Sequence, residues 1–467
     1  MTVYHSRIQH GVGQGSFHSA SVFFNSPTEG SRFDYVYDCG ALKSGRKTVE
    51  LEHNLKRIWV DFRSGSAKPV IDLMILSHFD WDHMNGASEL IDQFEVDRIV
   101  LPYLGPVELA VILASQAASI DDHTVTDLHS IAVGGNSLWG TPITMVEKGS
   151  RQERPDIPER PFKPEFLEPN SRTSENAPSG RATIRVEGPG GTMERVIPDD
   201  KDLLAGNTAT SHSLDWKIRF WNRGLNVKLG DLIQSELARI GFPVAALNDK
   251  VRGAKDIVDW LNVKPRRGRS KKGHGGRKSA APSSNRDLAV SAYRSALDKF
   301  SPGWLKEAEG KRLSNFLSLG MYSGPNFETD DEKIRYYRLH ERPSYENWDW
   351  YYEDDIALPG WIGTGDAPLG EASVWDDFEL HFKHELPRTQ TVVVPHHGAA
   401  PRNGPRFYNP KLNHQSDLYA VISHGKLNPY GHPHPSVLSQ IKGAGGKLVV
   451  VTEETRRGFQ EEYRFFK

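Results

Sequence analysis

A single cysteine, Cys39, in a chain of 467 residues excludes a disulfide framework and any thiolate cluster for zinc. It fits a reducing compartment. No run approaches the ~18 apolar residues of a membrane helix. The start, MTVYHSRIQHGVGQGSF, lacks the charged residues and apolar stretch of a secretory signal. A soluble cytoplasmic protein with no membrane partner is the expectation. An excess of one charge is missing too. Fifty-eight Lys and Arg stand against 60 Asp and Glu, for a formal net charge of -2. Any affinity for nucleic acid must therefore come from a local patch. No repeat of fixed period is found.

What is present reads as alternating strands and helices. Short β-branched or aromatic runs at 19–24 and 33–37 predict strands. Leu51, Leu55, Ile58 and Trp59 have helical spacing within 49–62. A buried strand is expected at 71–76, a helix at 85–94, a strand at 97–101 and a helix at 109–118. That order indicates an α/β protein. From 148 to 215 the chain is polar and rich in Pro, Gly, Ser and Arg, which reads as an irregular excursion. Helical patterns return at 225–240, 255–261 and 287–300. Between the last two, KPRRGRSKKGHGGRKSAAPSSNR (264–286) holds eight lysines and arginines before Ser279 and no acidic residue. Such a composition cannot pack a core. A strand is expected at 315–321, then an acidic and aromatic segment with YENWDWYYEDD. Strands follow at 391–394, 418–422 and 447–452, with helices at 373–380 and from 435.

SHFDWDH (77–83) comes directly after the strand expected at 71–76. In an extended segment His78, Asp80 and Asp82 project to one side, and His83 turns into the next helix. Imidazole and carboxylate pairs this close suit zinc, manganese or iron better than calcium. They can serve two ions about 3.5–4 Å apart. Three later places complete such a set, each after an expected strand: Asp366 in WIGTGD, His396 and His397 in PHHGA, and His432 and His434 in NPYGHPHP. Each taken singly is a turn residue or a satisfied polar group. Together they follow the rule that sites collect at strand ends.

The run HxDxDH, TGD, PHHG, YGHP resembles the metallo-β-lactamase superfamily, closest to the soluble hydrolase domain of ComEC-type competence DNA-uptake proteins. GVGQGS (11–16), YDCG (37–40) and the C-terminal YAVIS…NPYGHP…GGKLVVVT are similar to the same branch. The resemblance covers roughly 1–147 and 313–467. It implies a four-layer αββα sandwich in two halves with a large insertion at 148–312 and an acidic-aromatic insert at 325–358. It also implies two divalent ions, Zn2+ or Mn2+. Carried over, His78 and Asp80 would hold one ion with His396. Asp82 and His83 would hold the other with His432, and Asp366 would bridge. His397 would be a group supporting the ligands from outside or a proton donor near the leaving oxygen. The neighbours leave His396 or His397, and His432 or His434, open as the ligand. Ser16 stands where this branch carries an acidic residue, and Ala399 where it carries serine or threonine; both bear on substrate.

Two such ions lower the pKa of water towards ~7 and neutralise charge on phosphoryl oxygens, with Asp82 and His397 as the residues nearest the chemistry. The expected function is a metal-dependent phosphodiesterase or nuclease, DNA favoured, with the basic loop 264–278 tracking phosphates. Bacterial defence against phage is one setting for such an enzyme, though no residue shows it. The alternatives are an esterase or phosphodiesterase on small molecules or lipid head groups, and a binding or regulatory protein with a structural metal.

Overall fold

The structure, a computed structural model, describes residues 2–25, 30–41, 49–62, 68–149, 180–187, 193–206, 215–263, 284–300, 317–326, 334–340, 351–353, 359–400, 404–408, 418–455 and 458–466. Most of the basic loop (264–283) and most of the acidic-aromatic segment lie outside these residues. The chain is a mixed α/β protein that divides into two compact units. One comprises Met1–Pro102, Thr141–Arg223 and Leu317–Lys467; the other comprises Tyr103–Gly140 and Gly224–Phe316. Among the described residues no helix is long and apolar enough to cross a membrane.

The first unit carries two large sheets. In order of hydrogen-bonded neighbours, one sheet runs Val196–Pro198, Thr141–Glu147, Ile99–Pro102, Leu73–Ile75, Gly30–Cys39, Phe17–Asn25, Thr2–Gln9, Phe459–Phe466, Ile334–His340 and Tyr351–Glu353. The other runs Thr183–Val186, Asp202–Gly206, Trp216–Trp221, Gly320–Pro325, Gly360–Gly363, Thr389–Val393, Tyr419–Ser423 and Lys447–Val451. The sheets meet through one apolar core: Val22, Phe24, Phe33, Tyr35 and Leu73 from the first pack with Trp216, Ile218, Phe220, Met321 and Trp361 from the second. Side chains alternate across each strand. Ala20, Val22 and Phe24 therefore face this core, while Ser19 and Ser21 face away, towards His10 and Asp34. Over that outer face lies the helix Val49–Phe62, with Asn54 bonded to His10 and Phe62 under Arg32. The outer face of the second sheet is covered by the helices Ala372–His381 and Pro435–Gly443. Val374, Phe378, Val437 and Ile441 pack there against Ile362, Val392 and Ala420.

The second unit is helical. Pro106–Gln116 is buried along Leu109–Ala114 and accompanies Asp122–Ala132, Val227–Arg239, Gly253–Asn262 and Asn285–Phe300. Asp121 caps its helix by accepting from the Thr124 amide at 2.9 Å, a bond that satisfies one free helical N–H. Arg286 donates to the carbonyls of Ala117 and Ile120 and to Asp122. It is thereby a structural tie.

Several sequence readings need correction. Residues 103–140 belong to the helical unit and not to the first half of the sheet unit. The stretch 148–215, read as irregular, supplies Thr183–Val186, Val196–Pro198 and Asp202–Gly206 to the sheets. These strands are three to five residues long, too short for alternation to register. The run 71–76 is broken at Asp72, so that Val70–Ile71 pairs with Glu95–Val96 and Leu73–Ile75 joins the large sheet. The strand expected at 315–321 begins at Gly320. Leu319 instead donates its amide to Ser77.

Candidate metal centre

Parallel pairing builds the site. Gly30–Cys39 runs parallel to Leu73–Ile75, with Tyr35 opposite Leu73 and Tyr37 opposite Ile75. Their C-terminal ends arrive together, so Asp38 reaches the chain at Ser77. In the second sheet Gly360–Gly363, Thr389–Val393 and Tyr419–Ser423 are parallel neighbours. Their C-terminal ends deliver Asp366, the turn Pro395–Gly398 and the loop that leads to His432.

Asp38 governs the local geometry. Its Oδ1 accepts the Ser77 amide at 2.7 Å, and its Oδ2 accepts the Ser77 hydroxyl at 2.8 Å. The same Oδ2 meets His83 Nδ1 at 2.8 Å, and the Ser77 hydroxyl meets His78 Nδ1 at 2.9 Å. A carboxylate offers only acceptors, and the hydroxyl's own proton is committed to it. The Nδ1 of both imidazoles therefore donates, and each Nε2 is the ring atom left to face the centre. Asp38 has a φ of 56°, a left-handed conformation that a residue with a Cβ seldom adopts. The turn itself is held from behind. Ser16 donates its amide to Asp82 O. A Cβ on Gly40 would stand 2.5 Å from Asp82 C and O and 2.6 Å from His83 N. The glycine at 40 is thus required by the close passage of backbone behind the site.

His397 is fixed in the same way. It and His396 have φ values of 53° and 48°, and its Nδ1 donates to Ser423 O at 2.9 Å. Its Nε2 faces Asp82 Oδ2 at 3.4 Å. His78 Nε2 lies 3.6 Å from Asp366 Oδ2, and His83 Nε2 lies 3.4 Å from Asp366 Oδ1. His396 Nδ1 is 3.4 Å from Asp366 Oδ2. The Nε2 atoms of His78, His83 and His397 are buried and make no hydrogen bond.

These distances are longer than hydrogen bonds of 2.7–3.2 Å. They match the edge of a coordination shell: two donors each ~2.1 Å from a tetrahedral ion are about 3.4 Å apart. Donor atoms of His78, His83 and Asp366 lie within 4.8 Å of one another, as do those of Asp82, His83 and His397. His83 belongs to both groups, and one nitrogen serves one ion. Burial works against charge at His83, yet Asp38 and Asp366 outweigh it and raise its pKa well above the usual value. Burial likewise opposes charge at His397, and Asp82 raises it. Asp366 is pushed up by burial but held far below the carboxylate range by His396, His83 and His78. The place calls for positive charge, and the residues fit a divalent cation.

The residues named from sequence arrive as follows. His78, Asp82, His83, Asp366, His396 and His397 converge. Asp80 stands at the edge, its Oδ2 4.0 Å from His78 Nε2. His432 packs its ring 5.6 Å from that of His396. His397, expected as a supporting group or a proton donor, stands with Asp82 and His83 in the place expected of His432. His434 is turned away and caps the helix Pro435–Gly443. Asp38 and Ser77 were not singled out by the sequence reading as site residues; the signal available was Asp38 inside YDCG at the end of an aromatic strand. Comparison with known proteins finds no family model that matches the chain and no significant similarity to a curated protein.

Proposed function

We propose that the two-sheet unit is a metal-dependent phosphodiester hydrolase of the metallo-β-lactamase kind, its two sheets and covering helices forming an αββα sandwich. The observation that carries this reading is the set of three buried imidazole Nε2 atoms. Each has its other nitrogen tied down, and each lies 3.4–3.6 Å from a carboxylate. His78, His83 and Asp366 would hold one ion and Asp82 and His397 a second, with zinc or manganese suited to this nitrogen and oxygen set. When bound, such ions supply Lewis-acid charge and an activated water. Asp38 keeps both imidazoles of the 78–83 turn in one tautomer and orientation. His396 and His432 are partly exposed and stand outside the two groups. Proton exchange with a leaving oxygen falls to them better than to His397, which faces Asp82.

Nucleic acid is the favoured substrate, supported by the basic composition of 264–278. A small phosphodiester is the alternative. The test is metal content and hydrolysis by the purified protein, with zinc or manganese, on labelled single- and double-stranded DNA and RNA and on bis-p-nitrophenyl phosphate. Replacing Asp82 and His83 together by Ala should abolish both metal uptake and hydrolysis while circular dichroism stays unchanged. Undiminished hydrolysis in that double variant would overturn the proposal. Loss of salt-sensitive oligonucleotide binding on deleting 266–278 would favour nucleic acid; cleavage of the small substrate alone would favour the alternative.

A further inference from the structure

Two large aromatic side chains stand exposed beside a site whose own groups are buried. Trp81 is 56% exposed although Asp80 before it is 3% exposed and His83 two residues later 2%. It opens the short helix Trp81–Met84, so its indole leaves the turn that supplies Asp82 and His83. Tyr430 is 55% exposed and approaches from the other sheet. Its ring stacks on His432, with centroids 6.0 Å apart and planes 17° apart. His432 in turn meets His396 edge-on at 5.6 Å, and His396 lies 3.4 Å from Asp366. A line of rings therefore runs from the centre to the surface.

The loop that presents Tyr430 is built, not loose. Asn428 Nδ2 donates to Gly425 O and to His432 O, both at 2.7 Å. Its Oδ1 accepts the amides of Tyr430 at 3.2 Å and His432 at 3.1 Å. One side chain thus uses its full hydrogen-bonding capacity to fix residues 425–432. Holding an aromatic ring rigidly in water is unfavourable by itself, whereas a rigid ring loses little entropy when a planar partner stacks on it.

We propose that Trp81 and Tyr430 are a stacking subsite for unpaired bases of a single-stranded nucleic acid whose phosphate enters the centre between them. This rests on the hydrolase reading and adds a substrate class to it. Flat aromatic faces suit bases, which present a π-face only when unpaired. Duplex DNA keeps its bases stacked inside and offers neither ring a partner. A membrane surface fits less well. Lys426, the cation on this loop, is already paired with Glu454, and Glu453 accepts its backbone amide. That leaves acid, not base, beside the exposed Leu427 and Tyr430, so this loop attracts no anionic surface by charge and any recognition there rests on the ring faces.

The experiment uses the full chain without metal, so that cleavage does not interfere. Anisotropy of an end-labelled thymidine oligonucleotide reads binding to wild type, Trp81→Ala, Trp81→Phe and Tyr430→Ala, with an abasic oligonucleotide of equal length as the second probe. Each alanine variant should weaken the thymidine probe about five- to 100-fold, the range for losing one stacked base. Trp81→Phe should retain most of the affinity, and the abasic probe should bind wild type and variants alike. Equal binding of thymidine and abasic probes by wild type, or unchanged binding by both alanine variants, overturns the subsite. So does competition by phosphatidylserine vesicles but not by unlabelled oligonucleotide. Metal uptake and hydrolysis of bis-p-nitrophenyl phosphate, measured on the same preparations, separate the two claims: if these persist while base dependence is absent, the subsite alone falls.

Discussion

Two buried polar clusters in the sheet unit differ in one respect. Around Arg7 the two charged groups, its guanidinium and the Glu461 carboxylate, are closed by protein partners. Its guanidinium reaches Glu461 at 2.7 Å, Pro359 O at 2.6 Å, Thr391 Oγ1 at 3.1 Å and Tyr463 OH at 3.0 Å. Glu461 accepts from Thr391 and Tyr463 as well. Around Asp366 the outer nitrogens are just as well tied, but three inner Nε2 atoms have no hydrogen bond. Burying polar groups unpaired costs stability. A cluster closed by the protein is a structural device. A cluster left open on its inner side has the donor atoms that could hold a cation.

The largest expected effect comes from opening the closed cluster. Arg7→Met leaves Glu461 buried without its cation and should destabilise the protein by about 3–5 kcal/mol, read from the urea midpoint. Arg7→Met combined with Glu461→Leu should recover most of that loss. A single-variant cost below about 1 kcal/mol would show that the pair does not close this region.

Next, the open cluster should be closed by metal. Free zinc or manganese at about 100 times its dissociation constant should stabilise the protein by ~2.7 kcal/mol. A chelator should remove that gain. His83→Ala and His397→Ala should show little response to either, whereas Arg7→Met should still respond. Equal metal response in all variants would erase the distinction between the clusters.

A smaller effect is expected at the tie behind the open cluster. Asp38→Asn keeps the size but replaces one acceptor oxygen by an amide. It should lower metal affinity about 10–100-fold, measured by competition with a chromophoric chelator, while the apoprotein keeps its fold.

Smallest per pH unit is the effect at a third cluster, closed like that of Arg7. His10 is buried between Asn54 and Ser19, and burial lowers its pKa to about 3. Unfolded, it titrates near ~6.5. Between these values the unfolded chain binds a proton that the folded one does not, so stability falls as pH drops from about 6.5 towards 3. The limit is ~1.4 kcal/mol per pH unit for one proton. His10→Gln should remove one proton from that slope, and added metal should leave the slope unchanged. Retention of the full slope would assign it elsewhere.

The same clusters explain what was legible. The apolar strands and helices that flank the site were readable because their inward faces are plainly hydrophobic. Thr2–Gln9 and Phe459–Phe466 escaped notice because the side chains they turn inward include His5, Arg7 and Gln9 on one strand and Glu461 on the other. Alternation of apolar and polar residues fails when an ion pair occupies the core. Asp38 and Ser77 escaped for a related reason: each is an ordinary turn residue until the other is beside it.

The sequence by itself determined the 77–83 turn and the chemical types that the centre contains, because alternation and spacing over six residues are local properties of the backbone. Only the tertiary structure decided that His397 stands with Asp82, that His434 caps a helix, and that residues 103–140 leave the sheet unit. These choices join positions up to about 300 residues apart. They depend on which strands lie side by side and in parallel, and adjacent histidines such as His396 and His397 are told apart only by a backbone turn that sends one ring inward.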